Sequence, residues 1–142
     1  MNDYNLGYLN GILDSFSELN RNSYVLNPLP KKKTINHALI EYFYNKNCDY
    51  EYELELIEEK NWVFLEKILL EHFFYFINDK KLNNEIYNHN KQEEFVNLFL
   101  NNLYNPFEVK KIYKLKLDSY RDIIIEFEDD SYYILELRIL YW

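Results

Sequence analysis

Hydrophobic residues recur along the chain with two different periods, and each period predicts one kind of element. Steps of three and four residues are typical of amphipathic helices and cover residues 4–19, 34–44, 62–77 and 91–104. Residues 62–77 are apolar on most of the helix circumference, so this helix is expected to be central and buried. Strict alternation of polar and apolar residues predicts a strand over residues 49–56.

The chain after Pro106 alternates almost without interruption, which predicts a three-stranded antiparallel meander over residues 109–117, 123–128 and 132–141. The element order is then α-α-β-α-α-β-β-β, with residues 24–26 as a further candidate strand. The chain has no internal repeat and no low-complexity linker. Residues 1–142 are therefore expected to form a single α+β domain in which helices pack on an antiparallel sheet.

The register of the meander determines which charged residues share a face. A three-residue loop over residues 129–131 would place even-numbered residues of the last two strands opposite one another. The solvent faces would then carry lysines on the first strand, glutamates on the second and a Glu and an Arg on the third, and cross-strand pairing would explain most of these charges without a function. These residues are Lys110, Lys114, Lys116, Glu126, Glu128, Glu136 and Arg138.

The only two glycines, Gly7 and Gly11, lie four residues apart and share one face of the first predicted helix. Each costs up to about 1 kcal/mol relative to alanine in a helix interior. We expect another helix or a tyrosine ring to pack closely on the two glycines and so to offset this cost. The alternative is that the glycine face and exposed tyrosines mediate self-association.

Composition and charge narrow the possible partners. The aromatic share is 19%, with 15 Tyr, so several tyrosines are expected at the edge of the core or in a contact surface, where their hydroxyls find partners. The net charge of −8 argues against direct binding of nucleic acid or of an anionic membrane. It favours a basic partner protein, unless it serves solubility alone.

The sequence lacks the residues needed for thiol catalysis, for a zinc site or for a phosphate-binding loop. Cys48 is the single cysteine, and His37, His72 and His89 are scattered without the spacing of a catalytic or metal-binding pair. The glycines lie inside a helix, whereas a phosphate-binding loop has several glycines just before one. We therefore predict no catalytic residues, no metal and no cofactor, and we do not expect an enzyme.

One carboxylate pattern resembles the restriction-type nuclease core. Asp122 or Asp130 precedes Glu136 and Arg138 in the order acid, hairpin, acid-x-base. The family has Lys where Arg138 stands, and arginine cannot release a proton at ordinary pH. A salt bridge within the hairpin is the favoured interpretation of these residues.

The location expected from the sequence is the cytoplasm. The first residues lack the basic segment and apolar run of a signal peptide. The longest apolar stretches fall far short of the roughly 20 residues that a membrane helix needs. A single cysteine fits a reducing compartment.

Residues 49–59 contain six acids and no base, and alternation places four of the acids on one strand face, about 6.5–6.8 Å apart. One interpretation is an edge strand whose like charges prevent sheet-to-sheet aggregation. The other is a negative surface that docks onto a basic groove, and it would gain if the fold brought a second acidic cluster, at the meander turn, beside the first. The candidate partner-binding residues are Asp49, Tyr50, Glu51, Tyr52, Glu53, Glu55, Glu58, Glu59, Glu126, Glu128, Asp129 and Asp130.

In size, charge and aromatic richness the chain resembles two classes of small acidic proteins: toxin immunity proteins encoded beside bacterial toxins, and phage-encoded inhibitors of host nucleases. The resemblance implies an inhibitor that binds a basic protein, such as a nuclease toxin or nuclease effector, without contacting nucleic acid directly. A phage anti-defence inhibitor of the anti-CRISPR kind is the first alternative to an immunity protein. A structural or self-assembling subunit without catalysis is the second.

Overall fold

The computed structural model describes residues 1–20, 22–48, 51–58, 61–75, 89–105, 107–117 and 121–138. These residues form four helices and one five-stranded antiparallel sheet, which confirms the expected α+β class. The elements in chain order are α1 (Asp3–Asn20), β1 (Ser23–Pro28), α2 (Ile35–Asn45), β2 (Tyr52–Leu56), α3 (Asn61–Tyr75), α4 (His89–Tyr104), β3 (Val109–Leu117), β4 (Arg121–Phe127) and β5 (Tyr132–Arg138).

The strand order is β1-β5-β4-β3-β2, so the predicted meander β3-β4-β5 forms the centre of the sheet. The candidate strand at residues 24–26 is real: β1 pairs antiparallel with β5, Ser23 opposite Arg138 and Pro28 opposite Tyr133. Both β1 and β2 are edge strands. A proline is tolerated at the end of an edge strand because its missing N–H is not needed by a second neighbour.

The loop between β4 and β5 has the predicted odd length, but it lies one residue earlier in the sequence than predicted. Glu126 lies opposite Tyr132, so even-numbered residues do face one another. The Phe127 N–H donates to the Ser131 carbonyl at 2.9 Å, and the Asp130 N–H donates to the Phe127 carbonyl at 3.0 Å. Asp130 has a φ of 63°, the left-handed conformation that commonly ends a three-residue hairpin loop.

The two faces of the sheet are covered unequally. Helices α1, α3 and α4 pack on one face, where Phe64, Leu65 and Leu69 of α3 are buried, as expected for the apolar central helix. Helix α2 covers the opposite face, burying Leu39 and Phe43 against the sheet.

Local capping defines both ends of α2. The Thr34 hydroxyl accepts a hydrogen bond from the His37 N–H at 3.2 Å, which satisfies one of the free donors of the first turn. Asn47 follows the helix with a φ of 55°, and the Cys48 N–H donates to the Phe43 carbonyl at 2.9 Å. This is the pattern of a Schellman C-cap, and it sets where the helix stops over the sheet.

The expected solvent faces of the meander are wrong for two of its strands. Glu126 is only 6% exposed, because it lies on the face that α2 covers. On the β4 side, Lys114 and Lys116 lie opposite Ile123 and Arg121 rather than opposite glutamates. Of the three lysines, Lys110 alone pairs with a glutamate of β4: its Nζ lies 3.6 Å from Glu126 and also 3.2 Å from Asp130.

The close approach expected at the two glycines is also absent from the described residues. A Cβ atom built on Gly7 or on Gly11 would have no described atom within 4 Å. Both residues are exposed on α1. The glycines therefore face open space, and no described side chain packs there to offset their low helix propensity.

Alanine at these positions should stabilise the protein. Gly7→Ala and Gly11→Ala each reduce the freedom of the unfolded chain without a clash, so each should raise the free energy of unfolding by about 0.5–1 kcal/mol. Urea denaturation followed by circular dichroism measures the change. A loss of stability in either variant would mean that something packs on this face after all.

Candidate partner-binding surface

Strand β2 alternates as the sequence predicts. Glu53 and Glu55 are exposed on one face, and Tyr52 and Leu54 are half-buried on the other. The Tyr52 hydroxyl donates to the Asn36 side chain at 3.0 Å, so this tyrosine belongs to the packing of α2. Of the candidate residues nearby, Glu51 and Glu58 are exposed, whereas Asp49, Tyr50 and Glu59 lie outside the described residues.

The acids of β2 have basic neighbours that residues 49–59 themselves do not contain. Glu53 lies opposite Lys116 and Glu55 opposite Lys114 in the antiparallel pair of β2 with β3. These four side chains and Arg121 line a shallow cleft of about 240 Å³. The surface is therefore a row of acids beside a row of bases. Complementary charges on neighbouring strands stabilise the pairing.

The acids nevertheless remain available to a partner. Within the described part of the chain, no salt bridge of 4 Å or less joins Glu53 or Glu55 to a base. The Lys114 ammonium lies 5.8 Å from the centre of the Phe64 ring, directed toward the helices that cover this face. Both carboxylates consequently keep their outer side open to solvent.

The two edges of the sheet differ in how their backbone groups are satisfied. At β1, Asn10 of α1 donates to the Leu26 carbonyl at 2.9 Å and accepts from the Leu26 N–H at 2.8 Å. The Tyr24 N–H donates to the Ser17 hydroxyl at 3.0 Å. Side chains of α1 thus close the edge at β1, and no described residue does the same at β2.

The second acidic cluster lies at the turn between β4 and β5. Glu128, Asp129 and Asp130 are exposed there, while Glu126 is buried. Hydrogen bonds from the Ser131 hydroxyl and N–H hold the pKa of Asp129 below its usual range. These acids also have bases nearby, because Asp129 and Asp130 line a cleft of about 330 Å³ together with Lys31 and Lys32.

The fold places the turn acids far from Glu53. Glu53 lies opposite Lys116, whereas the turn follows Phe127, which lies opposite Val109. Seven residue steps of extended strand separate Lys116 from Val109, a distance of roughly 23 Å. The other end of β2 lies nearer the turn, since the Ile57 N–H donates to the Ile112 carbonyl.

Three residues of the nuclease-like pattern, Asp122, Glu136 and Arg138, form a largely buried polar row beneath α2. Asp122 is fully buried and makes a salt bridge with Arg138, and it also accepts a hydrogen bond from the Leu137 N–H at 3.1 Å. Glu136 accepts from the Tyr42 hydroxyl and pairs with Lys46 at 3.1 Å. The hairpin salt bridge favoured from the sequence is therefore present.

Burial determines how these groups ionise. It raises the pKa of Asp122, although the Arg138 charge and the backbone hydrogen bond oppose the rise. Burial and the hydrogen bond to Glu136 also raise the pKa of Tyr42. Among the described residues no group of three or more His, Cys, Asp or Glu side chains is arranged to hold a metal ion.

The histidines and the cysteine lie apart from one another. His37 is exposed at the start of α2, and Cys48 follows the end of that helix, where its thiol donates to the Lys46 carbonyl at 3.4 Å. His72 lies on α3, and its ring meets Tyr24 edge-on at 5.9 Å. Burial lowers the pKa of His72 to about 4, so the ring is neutral at physiological pH.

Sequence reasoning missed the lysines opposite β2. The signal was present, since Lys114 and Lys116 alternate with leucines just as Glu53 and Glu55 do. It could be used only after β2 and β3 were known to be neighbours.

Comparison with known proteins finds no match to this chain among protein-family models, curated proteins or solved structures. None of the helices in the described ranges combines the length and the apolar composition needed to cross a membrane.

Proposed function

We propose that this chain is a non-catalytic cytoplasmic protein that inhibits a basic, nucleic-acid-acting partner, in the manner of a toxin immunity protein. The observation that carries the proposal is the set of exposed carboxylates along the free edge of the sheet. They are Glu51, Glu53, Glu55 and Glu58. The net charge of −8 adds a long-range attraction toward a basic surface.

The geometry of β2 suits binding better than catalysis. Glu53 and Glu55 share one face of the strand, opposite Lys116 and Lys114 of β3. A partner that placed basic residues on the solvent side of Glu53 and Glu55 would put these acids between two rows of bases. Opposite charges that approach from solution also accelerate the encounter of the two proteins.

The buried polar row supports a protein without catalysis. A metal-dependent nuclease needs acids that open onto a metal and a substrate. Asp122 is instead fully buried and paired with Arg138, and Glu136 is occupied by Tyr42 and Lys46.

Self-assembly is the second candidate function, and the outer face of α1 favours it. Tyr4 is 80% exposed and Tyr8 is 45% exposed, and both lie beside the open space at Gly7 and Gly11. Light scattering on the purified protein tests this function. A dimer that Tyr4→Ser and Tyr8→Ser together dissociate would support self-assembly, whereas a monomer at all concentrations would remove it.

Reversing the charge of β2 should abolish binding to the basic partner. Glu51→Lys, Glu53→Lys and Glu55→Lys in one variant place lysines against the partner's bases and should weaken affinity at least about 100-fold. The experiment titrates the basic product of a neighbouring gene by isothermal calorimetry. The matched control combines Asp14→Lys, Glu71→Lys and Glu94→Lys, three exposed helix positions with the same change in net charge.

The control should lose only about tenfold, because it reduces long-range attraction and leaves the surface intact. Equal losses in the two triple variants would show that net charge alone drives binding. Unchanged affinity in the β2 variant would place the interface elsewhere.

A further inference from the structure

Strand β2 has an open backbone edge with a regular order of groups. The Ile57 N–H donates to the Ile112 carbonyl of β3 at 3.0 Å. Backbone groups alternate between the two sides of a strand, so the N–H and carbonyl groups of Tyr52, Leu54 and Leu56 point away from β3. No described residue makes a hydrogen bond to these outward groups.

The open edge at β2 contrasts with the edge at β1. Asn10 and Ser17 satisfy the outward groups of β1, which prevents a further strand from pairing there. One face of β2 also carries accessible apolar side chains: Leu56 is 46% exposed and Leu54 is half-buried. The edge thus offers backbone partners, an apolar face and an acidic face together.

We propose that β2 binds its partner by strand addition, taking an extended segment in which basic and apolar residues alternate. This inference deepens the proposed function and takes from it the basic character of the partner. The added strand would place Lys or Arg opposite Glu53 and Glu55. Its apolar residues would lie beside Leu54 and Leu56 on the α2 side of the sheet.

Charge excludes a second copy of this chain as the occupant. Two copies of β2 that pair antiparallel about Leu54 would bring Glu53 of one opposite Glu55 of the other. Like charges directly opposite one another destabilise strand pairing. A segment with basic residues at alternate positions turns the same geometry into two rows of opposite charge.

The test uses synthetic peptides and two variants at one edge position. An acetylated peptide of about nine residues that alternates Lys and Val should bind at least about tenfold more tightly than a block peptide of the same composition, because only the alternating peptide separates its bases from its apolar residues. Fluorescence anisotropy of the labelled peptides measures both affinities. Equal affinities would mean that charge alone attracts the peptide, and would overturn strand addition.

The two variants distinguish what the Leu56 backbone N–H contributes to affinity from what its side chain contributes. Leu56→Pro removes an outward N–H and keeps the bonds to β3, so it should fold and lose about tenfold in affinity. Leu56→Ala loses the same apolar side chain but keeps the N–H, so it should bind about tenfold more tightly than Leu56→Pro. Circular dichroism checks that both variants fold, and amide hydrogen exchange gives a second readout that needs no variant.

Exchange at the Leu54 and Leu56 amides should slow when the alternating peptide binds to the unmodified protein. Unchanged exchange there, or equal affinity of the proline and alanine variants, would overturn the proposal. A dimer of the free chain that Leu56→Pro dissociates would overturn it too, since a second copy would then occupy the edge. A basic protein that binds Leu56→Pro normally would remove strand addition and leave the proposed function standing.

Discussion

Asp122→Ala should lower the free energy of unfolding by about 3–5 kcal/mol, because it removes the buried carboxylate that pairs with the largely buried Arg138 guanidinium. The change also removes the acceptor of the Leu137 N–H. Urea denaturation at neutral pH measures the loss. A loss under about 1 kcal/mol would show that the pair is solvated and contributes little.

A second variant separates the ion pair from the position itself. Asp122→Ala combined with Arg138→Met replaces the pair by apolar groups, and it should recover at least about half of the lost stability. The stability of Asp122→Ala also bears on function. Catalytic acids commonly reduce stability, so if Asp122 were a catalytic acid of a nuclease, Asp122→Ala would leave stability unchanged or raise it.

His72 should make the protein sensitive to mild acid. Burial holds its pKa at about 4 in the folded chain, against 6.5 when unfolded. The unfolded state therefore binds a proton between these two values that the folded state does not. The stability that the neutral ring contributes is fully present above pH 6.5 and falls by up to about 3 kcal/mol as the pH drops toward 4.

Substitution isolates this contribution from the carboxylates that titrate in the same range. The free energy of unfolding is measured for the wild type and for His72→Gln at several pH values between about 7 and 4. The wild type should lose up to about 3 kcal/mol more than the variant over this interval. His37→Gln, at an exposed position, is the matched control and should follow the wild type. Parallel curves for wild type and His72→Gln would mean that the ring is solvated.

Local periodicity was sufficient to predict most elements of the fold. The helical steps in α1 and the strict alternation in β2 depend only on neighbouring residues, so both could be seen in the sequence. β1 was a candidate only, because a short segment that ends in Asn27 and Pro28 has little strand character of its own. Its pairing with β5, far along the chain, stabilises it as a strand.

The environment of the charged residues could not be predicted in the same way. Glu126 and Glu136 each stand between two apolar residues, and this pattern normally indicates a solvent-exposed face. Helix α2 covers that face, and only the tertiary fold shows this. The bases opposite Glu53 and Glu55 were missed for the same reason, since the pairing of β2 with β3 joins distant parts of the chain.

The candidate surface is therefore more specific than the sequence suggested. Acid count alone indicated two acidic clusters and left open whether the fold places them side by side. The structure separates the turn acids from Glu53 and buries Glu126. What remains is one edge strand on which Glu53 and Glu55 lie opposite the lysines of β3.

Inhibition of a basic nuclease at one-to-one stoichiometry tests the central claim most directly. The nuclease encoded beside this chain is purified, and its cleavage of DNA or RNA is measured as the chain is titrated in at a nuclease concentration of about 1 µM. We expect activity to fall linearly and to vanish at one equivalent, and the β2 charge-reversal variant to inhibit much less at the same ratio. Full activity in the presence of excess chain would contradict the account.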